Sequence, residues 1–501
     1  MELAAFILYF VAMLFIGLFF FFKSKNNSGE KEYFLGGRSM GPWVTAMSAQ
    51  ASDMSGWLLM GLPGSILAFG LGQAWIGIGL AIGTAANWIL VAKRLRRFSK
   101  AANDSITLPQ YLSNRFATKN HALQIICAVI FLVFFTVYVA SGFVAGATVF
   151  STVIPELSED VALIIFALIL LTYTFLGGYK AVCWTDFFQG ILMLVALLSV
   201  PIMVVITQNL DSSALTEVYT YVENGKKTVY AFNSNLFSAD WREIVSGLAW
   251  GLGYFGMPHI LVRFMSIKKS SMVKKSATVA IIWVVLSLVA TILLAVFGRM
   301  MIGGEFLTAG AQKLVFIRLA RMLFPAFVAG LLMAAIIAAA MSTADSQLLV
   351  ASSSFTSDIY KPVFRKNASD KELLGVGRIT VLAVAVVAYF IASSKGKGAQ
   401  AIMNMVENAW AGFGAAFGPV VTLSLFWKRM TYKGAVAGVV AGAAVDVAWM
   451  LFLSSSTGIY ELLPGFAAGL IACVVVTLID KEPSKEVTDI FDTAMDMSID
   501  E

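Results

Sequence analysis

Residues 48–57 read Ser48-Ala49-Gln50-Ala51-Ser52-Asp53-Met54-Ser55-Gly56-Trp57, and Gly61, Pro63 and Gly64 follow shortly after. This polar, glycine-rich stretch lies inside an apolar segment that runs from 43 to 69. Glycine costs about 1 kcal/mol per helix position relative to alanine, so the stretch favours local unwinding. Unwound backbone at membrane depth is found where it lines a cavity or is buried in protein. The stretch therefore predicts a broken membrane helix that carries a carboxylate, Asp53, at the break.

A second stretch of the same kind occurs later, as Gly247-Leu248-Ala249-Trp250-Gly251-Leu252-Gly253-Tyr254-Phe255-Gly256-Met257-Pro258. Broken helices at matching positions of two halves are the sequence pattern of inverted-repeat secondary transporters. The alternative is that these glycines only allow close helix packing, as we expect for the pairs at 142/146 and 414/418. The carboxylate in the first break favours the transporter interpretation.

The composition places most of the chain in a membrane. Hydrophobic residues make up 59% and charged residues only 13%, with a mean hydropathy of +0.81, whereas soluble domains carry about 25% charged residues. Apolar runs of membrane-spanning length recur along the chain. We predict thirteen spans, at 3–22, 43–69, 73–92, 123–150, 160–179, 187–207, 243–262, 276–298, 323–350, 374–393, 400–427, 434–453 and 459–479.

The distribution of basic residues predicts the orientation. With the N-terminus outside, 27 of the 36 Lys and Arg residues fall on the cytoplasmic side, when Arg378 at the cytoplasmic end of the span 374–393 is included, as the positive-inside rule requires. The first span has no basic residue before it, so we expect it to be retained rather than cleaved as a signal peptide. The tail at 480–501 is acidic and is predicted to be cytoplasmic and disordered.

The fold class predicted is an all-α integral membrane protein of about thirteen transmembrane helices. Its core is a 5+5 inverted repeat, with one extra N-terminal and two extra C-terminal helices. The predicted parts are an N-terminal helix and cytoplasmic loop (1–42), a first repeat (43–207), an extracellular loop (208–241), a second repeat (242–428), two C-terminal helices (429–480) and a tail (481–501).

Carboxylates inside spans are the main candidates for function, because each needs a cation, a proton or water there. Asp53, Asp186 and Asp345 are such residues, whereas Glu407 and Asp446 receive no role. For Asp186, a water-exposed carboxylate beside Lys180 remains an equal alternative.

Sodium prefers oxygen ligands, and the predicted ninth span offers several. Ser342 and Thr343 supply hydroxyls, and the carbonyl of Ala339 lies one turn earlier. Carbonyls freed by the break near Asp53 would complete the set. The alternative is that both hydroxyls bond back to carbonyls of their own helix, which the residues alone favour.

Other function classes lack their motifs. The sequence G-L-G-Y-F-G at 251–256 matches a dinucleotide fingerprint but lies inside a span, and no Walker A motif occurs. No filter loop indicates a channel, no output domain indicates a sensor, and no nucleophile–base pair indicates an enzyme. We therefore expect no nucleotide, no nucleic acid and no cofactor, with sodium as the coupling ion.

Several stretches resemble the sodium–solute symporter family in order along nearly the whole chain. They are Gly36-Gly37-Arg38-Ser39, residues 51–64, residues 250–256, Pro258-His259-Ile260-Leu261, Met341-Ser342-Thr343 and residues 409–420. The resemblance implies a LeuT-type fold embedded in the lipid bilayer of the inner cell membrane. It also implies that the protein imports L-proline together with sodium. A member of the family with another solute, such as another amino acid or pantothenate, is the alternative.

The resemblance also implies roles for individual residues. The sodium ligands would be Ala51, Met54, Ala339, Ser342 and Thr343. The residues that support the site, or form a second cation site, would be Asp53, Asp186 and Asp345, although Asp345 departs from the family pattern. The proline-binding residues would be Ser55, Gly56, Tyr138, Trp250, Tyr254 and Pro258. Ordinary helix packing is the alternative for Trp250 and Tyr254, but the flanking glycines leave them little else to pack against, which favours the binding site.

Overall fold

The computed structural model describes residues 1–24, 29–223, 226–307, 311–394 and 399–496, and this part of the chain is nearly all helical. The first helices are α1 (Glu2–Ser24), α2 (Glu30–Leu35), α3 (Pro42–Asp53), α4 (Leu62–Phe69), α5 (Ala74–Ala86), α6 (Lys93–Ala101), α7 (Leu108–Arg115), α8 (Ala122–Val153) and α9 (Glu159–Thr207). After a hairpin of strands β1 (Val218–Glu223) and β2 (Lys226–Ala231) come α10 (Trp241–Ala249), α11 (Pro258–Ser266), α12 (Val273–Ile302), α13 (Val315–Leu323), α14 (Ala326–Ser353), α15 (Asp370–Ser394) and α16 (Ala399–Phe426). The last are α17 (Tyr432–Phe452), α18 (Ser454–Thr457), α19 (Leu462–Ile479) and α20 (Lys485–Met495).

The predicted break in the segment 43–69 is confirmed. Helix α3 ends at Asp53, and Met54 has a non-helical backbone with φ −84° and ψ 75°. A π-helical turn at Trp57–Gly61 then leads into α4. The unwound residues are fully buried, as backbone without regular hydrogen bonds must be at membrane depth.

The second predicted break is also confirmed. Helix α10 continues as a 3₁₀ helix over Trp250–Phe255, and the chain then bends by 43° into α11. The close-packing alternative holds at the same place, because a Cβ on Gly251 would lie 2.3 Å from the carbonyl oxygen of Gly79 in α5. The glycines therefore serve both the break and the contact with α5.

The number of spans stays a prediction. Among the described residues, ten helices are long and apolar enough to cross a membrane, and the bent pair α10–α11 would make eleven. The predicted span 43–69 is divided between α3 and α4. The predicted span 160–179 is the first part of α9, which kinks at Gly178 where φ is +61°.

Helix α14 lies at the centre of the molecule. It is buried over most of its length and packs against α3, α8 and α9. The extra helix α1 packs on α9 and α14, and the pair α17–α19 packs on α16. This arrangement brings the broken end of α3 against the middle of α14.

The prediction of a disordered tail at 480–501 is wrong for residues 485–495, which form α20, and residues 497–501 of that tail lie outside the described residues. Val487 and Ala494 are buried there, and the ring of Phe491 contacts Phe98 of α6 with centroids 5.2 Å apart. Arg115 of α7 donates a hydrogen bond to the carbonyl of Val487 at 3.1 Å. The apolar residues recur at helical spacing, but the acidic residues between them concealed the pattern.

Candidate ion and solute sites

The broken end of α3 exposes a carbonyl to α14. In a continuous helix the N–H of Ser55 would bond to the carbonyl of Ala51, but it bonds instead to the carbonyl of Asp53 at 3.0 Å. The Ala51 carbonyl accepts a hydrogen bond from the Ser342 hydroxyl of α14 at 2.8 Å. The structure thus brings together oxygen atoms that are far apart in sequence.

The other predicted sodium ligands lie around this contact. The Ser342 hydroxyl also reaches the carbonyl of Ala339 at a longer distance of 3.3 Å. The hydroxyl of Thr343 is buried and has no hydrogen-bond partner among the described residues. The alternative, in which both hydroxyls bond to carbonyls of their own helix, therefore applies only to the longer of the two Ser342 contacts. It does not apply to Thr343. Met54 is fully buried at the break itself.

Asp53 connects the two breaks. Its side chain is buried, and the hydroxyl of Tyr254, from the second break, donates to its Oδ2 at 2.5 Å. The hydroxyl of Tyr138 in α8 donates to the Asp53 carbonyl at 3.4 Å. Asn87, which received no role in the sequence analysis, donates to the carbonyl of Tyr254 at 3.0 Å.

The remaining predicted solute residues gather on the same side. Ser55 is buried at the α3 break, and a Cβ on Gly56 would lie 2.6 Å from the Cβ of Ala145 in α8. Pro258 begins α11, and the next residue, His259, places its buried ring 6.4 Å from that of Tyr138. The α3 break, α8 and the start of α11 thus meet at one place.

The prediction that Trp250 and Tyr254 have little else to pack against is wrong. The ring of Trp250 stacks on Tyr460 at 5.2 Å, and that of Tyr254 meets Trp410 edge-on at 5.0 Å. Trp410 also donates from its indole to the carbonyl of Trp250 at 2.8 Å. Gly253 leaves the room that this indole fills, since a Cβ there would lie 2.0 Å from the indole nitrogen. Trp410 and Tyr460 were not predicted as partners of these rings, because both are far away in the chain.

A cavity of about 490 Å³ lies on the hairpin side of this aromatic cluster. Trp250 forms part of its wall, together with Glu407, Glu243 and Gln73. Glu407, which carries no predicted role, is thereby placed in a cavity. Of the predicted proline wall, Trp250 therefore borders an open space, whereas Tyr254 bonds to Asp53.

Asp186 lies in a different cluster, and the water-exposed alternative is wrong for it. Its side chain is fully buried, and Lys180 pairs with Glu32 instead. Asp186 accepts hydrogen bonds from Ser48 at 2.7 Å and from Arg263 at 3.2 Å. Arg263 lies just outside the predicted span 243–262, but α11 continues to Ser266 and contains it.

Two further carboxylates are buried in helices. Asp345 is fully buried one turn after Ser342 in α14, and Asp446 is 1% exposed in α17. Asp345 interacts electrostatically with Arg263. The predicted second cation position therefore already contains a cationic side chain.

Comparison with known proteins identifies the class of the chain. Residues 33–442 match the model of the sodium:solute symporter family, and the chain belongs to this family. It is 44% identical to the high-affinity proline transporter PutP of Bacillus subtilis (strain 168), over 97% of this chain and 99% of that protein. It is 43% identical to the sodium/proline symporter of Haemophilus influenzae (strain ATCC 51907 / DSM 11121 / KW20 / Rd), over 98% of this chain and 97% of that protein.

The fold is shared with solved transporters. The structure of a Na⁺-coupled sialic acid symporter in its substrate-bound, outward-open state aligns with a TM-score of 0.70. The alignment covers 97% of this chain and 99% of that one, at 19% identity. The predicted LeuT-type fold class is thus confirmed, and the chain is a multi-pass membrane transporter rather than an enzyme.

Proposed function

We propose that this transporter imports L-proline together with sodium by alternating access. The observation that carries the proposal is the contact between the Ser342 hydroxyl and the freed carbonyl of Ala51, beside the Thr343 hydroxyl, which has no hydrogen-bond partner among the described residues. Hydroxyl and carbonyl oxygens are the ligands that a hard cation prefers. With Met54 and Ala339 they form the proposed sodium site, and the names of the relatives support proline as the solute.

Proline would bind beside the sodium site. Its carboxylate suits backbone N–H groups at the break near Ser55 and Gly56, where a half-helix presents the positive end of its dipole. The rings of Tyr138, Tyr254 and Trp250 would enclose its apolar ring and its ammonium group. Pro258, at the start of α11, closes the same region.

The direction of import follows from the proposed orientation in the inner membrane. The N-terminus is placed outside and α20 in the cytoplasm, because most basic residues then face the cytoplasm. The cavity beside Trp250 would accordingly open outward, toward the medium from which proline is taken.

Uptake of labelled proline into proteoliposomes, with and without an inward sodium gradient, tests the proposal. We expect accumulation only with the gradient. Five-membered imino acids should compete, whereas glucose and pantothenate should not. Absence of proline uptake, with sodium-driven uptake of another amino acid or of pantothenate, would transfer the assignment to that solute.

A matched pair of tryptophan variants tests the solute wall. Trp250→Ala removes a buried ring that borders the cavity, while Trp241→Ala removes one that is 58% exposed at the start of the same helix. An aromatic contact with a cation contributes on the order of 1 kcal/mol, so Trp250→Ala should weaken proline affinity about tenfold. Trp241→Ala should leave it unchanged. Equal effects of the two variants would contradict the assigned wall.

A further inference from the structure

His259 is a polar side chain that is buried without a hydrogen-bond partner. The residue is 0% exposed, and neither Nδ1 nor Nε2 of its ring bonds to any of the described residues. Imidazole carries at least one N–H donor in each of its protonation states. A buried donor without a partner costs the full free energy of its desolvation. The ring is therefore suited to a partner that enters from outside the chain.

The ring lies at the place proposed for the solute. His259 follows Pro258 in the first turn of α11, directly after the second break. Its ring is nearly perpendicular to that of Tyr138 in α8, with the centroids 6.4 Å apart. Tyr138 in turn donates to the carbonyl of Asp53 at the first break. His259 is thus located where the two breaks and α8 meet.

The surroundings of the ring favour an anionic partner. The positive end of a helix dipole lies at the first turn of the helix, and His259 is the second residue of α11. Arg263 Nη1 donates to the His259 carbonyl at 2.8 Å, which holds this turn in position. Because Arg263 is itself paired with Asp186, the dipole and the ring N–H remain available for an anion.

We propose that His259 belongs to the solute site and that its ring N–H donates a hydrogen bond to the carboxylate of the solute. The inference rests on the proposed function and deepens it, because it names the group that the site selects. A carboxylate accepts several hydrogen bonds, so the ring and the backbone N–H groups at the α3 break can hold the same one. A hydrogen bond to an ionised oxygen is stronger than one to a neutral oxygen, and the site therefore selects acids over their amides.

Competition between L-proline and L-prolinamide tests the inference. The two molecules share the five-membered ring and the amine, but only proline carries a carboxylate. His259→Phe keeps an aromatic ring and removes the donor. The concentration of proline that half-inhibits uptake of labelled proline should rise about tenfold, while that of prolinamide should not change. The ratio of the two concentrations should therefore change tenfold. His259→Gln keeps an N–H donor and should preserve most of the wild-type ratio.

Phe135→Leu is the control for packing. The ring of Phe135 lies 5.8 Å from that of His259, so this variant loosens the surroundings of the imidazole without removing its N–H. It should leave the ratio of proline to prolinamide unchanged. The sodium half-saturation at saturating proline should also stay unchanged in His259→Phe. A wild-type ratio in His259→Phe, or the same change of ratio in Phe135→Leu, would show that His259 has only a structural role.

Nuclear magnetic resonance tests the intact site and does not depend on the folding of His259 variants. The chain has two histidines, and His121 is exposed at the start of α8. In full-length His121→Gln protein labelled with ¹⁵N-histidine, the ring signals therefore come from His259. Saturating proline with sodium should shift them, and prolinamide at the same concentration should not. Signals that proline leaves in place, or that prolinamide shifts equally, would overturn the inference.

The inference and the proposed function fail separately. The alternative solutes, another amino acid or pantothenate, also carry a carboxylate. If one of them proves to be the solute, the proline assignment fails, and the same measurements with that acid and its amide decide the role of His259. If sodium drives proline uptake but the ratio of proline to prolinamide does not depend on His259, only the inference fails.

Discussion

Ser342 and Thr343 are neighbours in α14 but have different surroundings. The Ser342 hydroxyl holds the freed carbonyl of Ala51, whereas the Thr343 hydroxyl has no partner in the part of the chain that the structure describes. A buried hydroxyl without a partner carries a desolvation cost of about 1–3 kcal/mol. A cation bound at this point would offset that cost, which is why both residues belong to the proposed sodium site.

Replacing both residues by alanine should weaken sodium binding. The double variant removes two oxygen ligands, and at about 1–3 kcal/mol per group the sodium half-saturation should rise by one or more orders of magnitude. The sodium dependence of proline uptake measures this. Ser287→Ala is the matched control, since it removes from membrane helix α12 another buried hydroxyl for which the described residues provide no hydrogen-bond partner. An unchanged sodium half-saturation in the double variant would show that Ser342 and Thr343 do not bind sodium and have only a structural role.

Tyr254→Phe separates the ring from the hydroxyl. The hydroxyl bonds to Asp53 at 2.5 Å, and hydrogen bonds to charged groups contribute about 1.5–3 kcal/mol. The variant loses this hydrogen bond but keeps the ring. We therefore expect the sodium half-saturation to rise at least tenfold, with little change in proline affinity at saturating sodium. Tyr138→Phe is the control, because its bond to the Asp53 carbonyl is long at 3.4 Å. A loss confined to proline affinity would show that the hydroxyl serves the solute instead.

The polar residues of the candidate site could be predicted from the sequence, but the residues that contact them could not. Asp53, Ser342 and Thr343 are polar groups in apolar segments, and such groups need an explanation wherever the fold places them. Their partners come from distant helices, and no local pattern marks them. Arg263 was missed for this reason, since a basic residue near the end of a span has the same appearance as a topological charge.

At the scale of elements, the second break depends on glycine contacts with α5. A Cβ on Gly251 would lie 2.3 Å from the carbonyl oxygen of Gly79 and 3.2 Å from the Cα of Gly83. Backbone atoms cannot turn aside as a flexible side chain can. The two elements are therefore held at a distance that only glycine permits.

Gly251→Ala should accordingly destabilise the protein, whereas Gly375→Ala should not. Overpacking costs about 1–3 kcal/mol or more, so the first variant should lower the melting temperature and the yield of monodisperse protein. A Cβ on Gly375, in helix α15, meets no atom within 4 Å, and alanine there should add about 0.5–1 kcal/mol of stability. Thermal unfolding in detergent, read by size exclusion, compares the two. Equal melting temperatures would mean that α5 and the break are not in contact.

The sequence pattern predicted the broken helices but not every element. Both breaks carry glycines, and glycine weakens a helix wherever it lies. The π-helical segment at Asn87–Ala92 carries no comparable signal, because its residues also suit an α-helix, whereas the one at Ser354–Phe364 contains Pro362, which disfavours a regular α-helix. Helix α20 was missed because its stability comes from packing on α6 and α7 rather than from its own composition.

At the scale of the whole molecule, α20 and the hairpin lie at opposite ends of α12. Arg96 of α6, which packs against α20, donates to the carbonyl of Lys268 just before α12 begins, at 2.9 Å. Tyr221 of the hairpin donates to the carbonyl of Gly304 just after α12 ends, at 2.7 Å. Helix α12 has 30 residues, which corresponds to about 45 Å, more than the thickness of the hydrocarbon core.

The end that carries α20 also holds charged residues that link the segment before α3 to the loop after α6 and to α11. Arg38 donates to Asp104 at 2.7 Å and to the carbonyl of Met265 at 2.5 Å. Burial raises the pKa of Asp104, but Lys31 and Arg38 outweigh burial and hold that pKa below its usual range. Asp104 therefore stays ionised at any pH near neutrality, and the basic residues at this end do not all face solvent as free topological charges.

Labelling of single introduced cysteines tests the orientation of the whole molecule. Asn120→Cys, after α7, and Glu486→Cys, in α20, replace exposed residues at one end, and Val222→Cys replaces a residue that is 72% exposed at the hairpin end. The three native cysteines are buried, so they should contribute little background with a membrane-impermeant maleimide. If most basic residues face the cytoplasm, intact cells should show labelling at 222 alone, and inverted vesicles at 120 and 486. Because the structure places 120 and 486 at the same end, labelling of these two from opposite sides would contradict the fold, whereas labelling of both from outside would reverse only the orientation and leave the fold and the ion site intact.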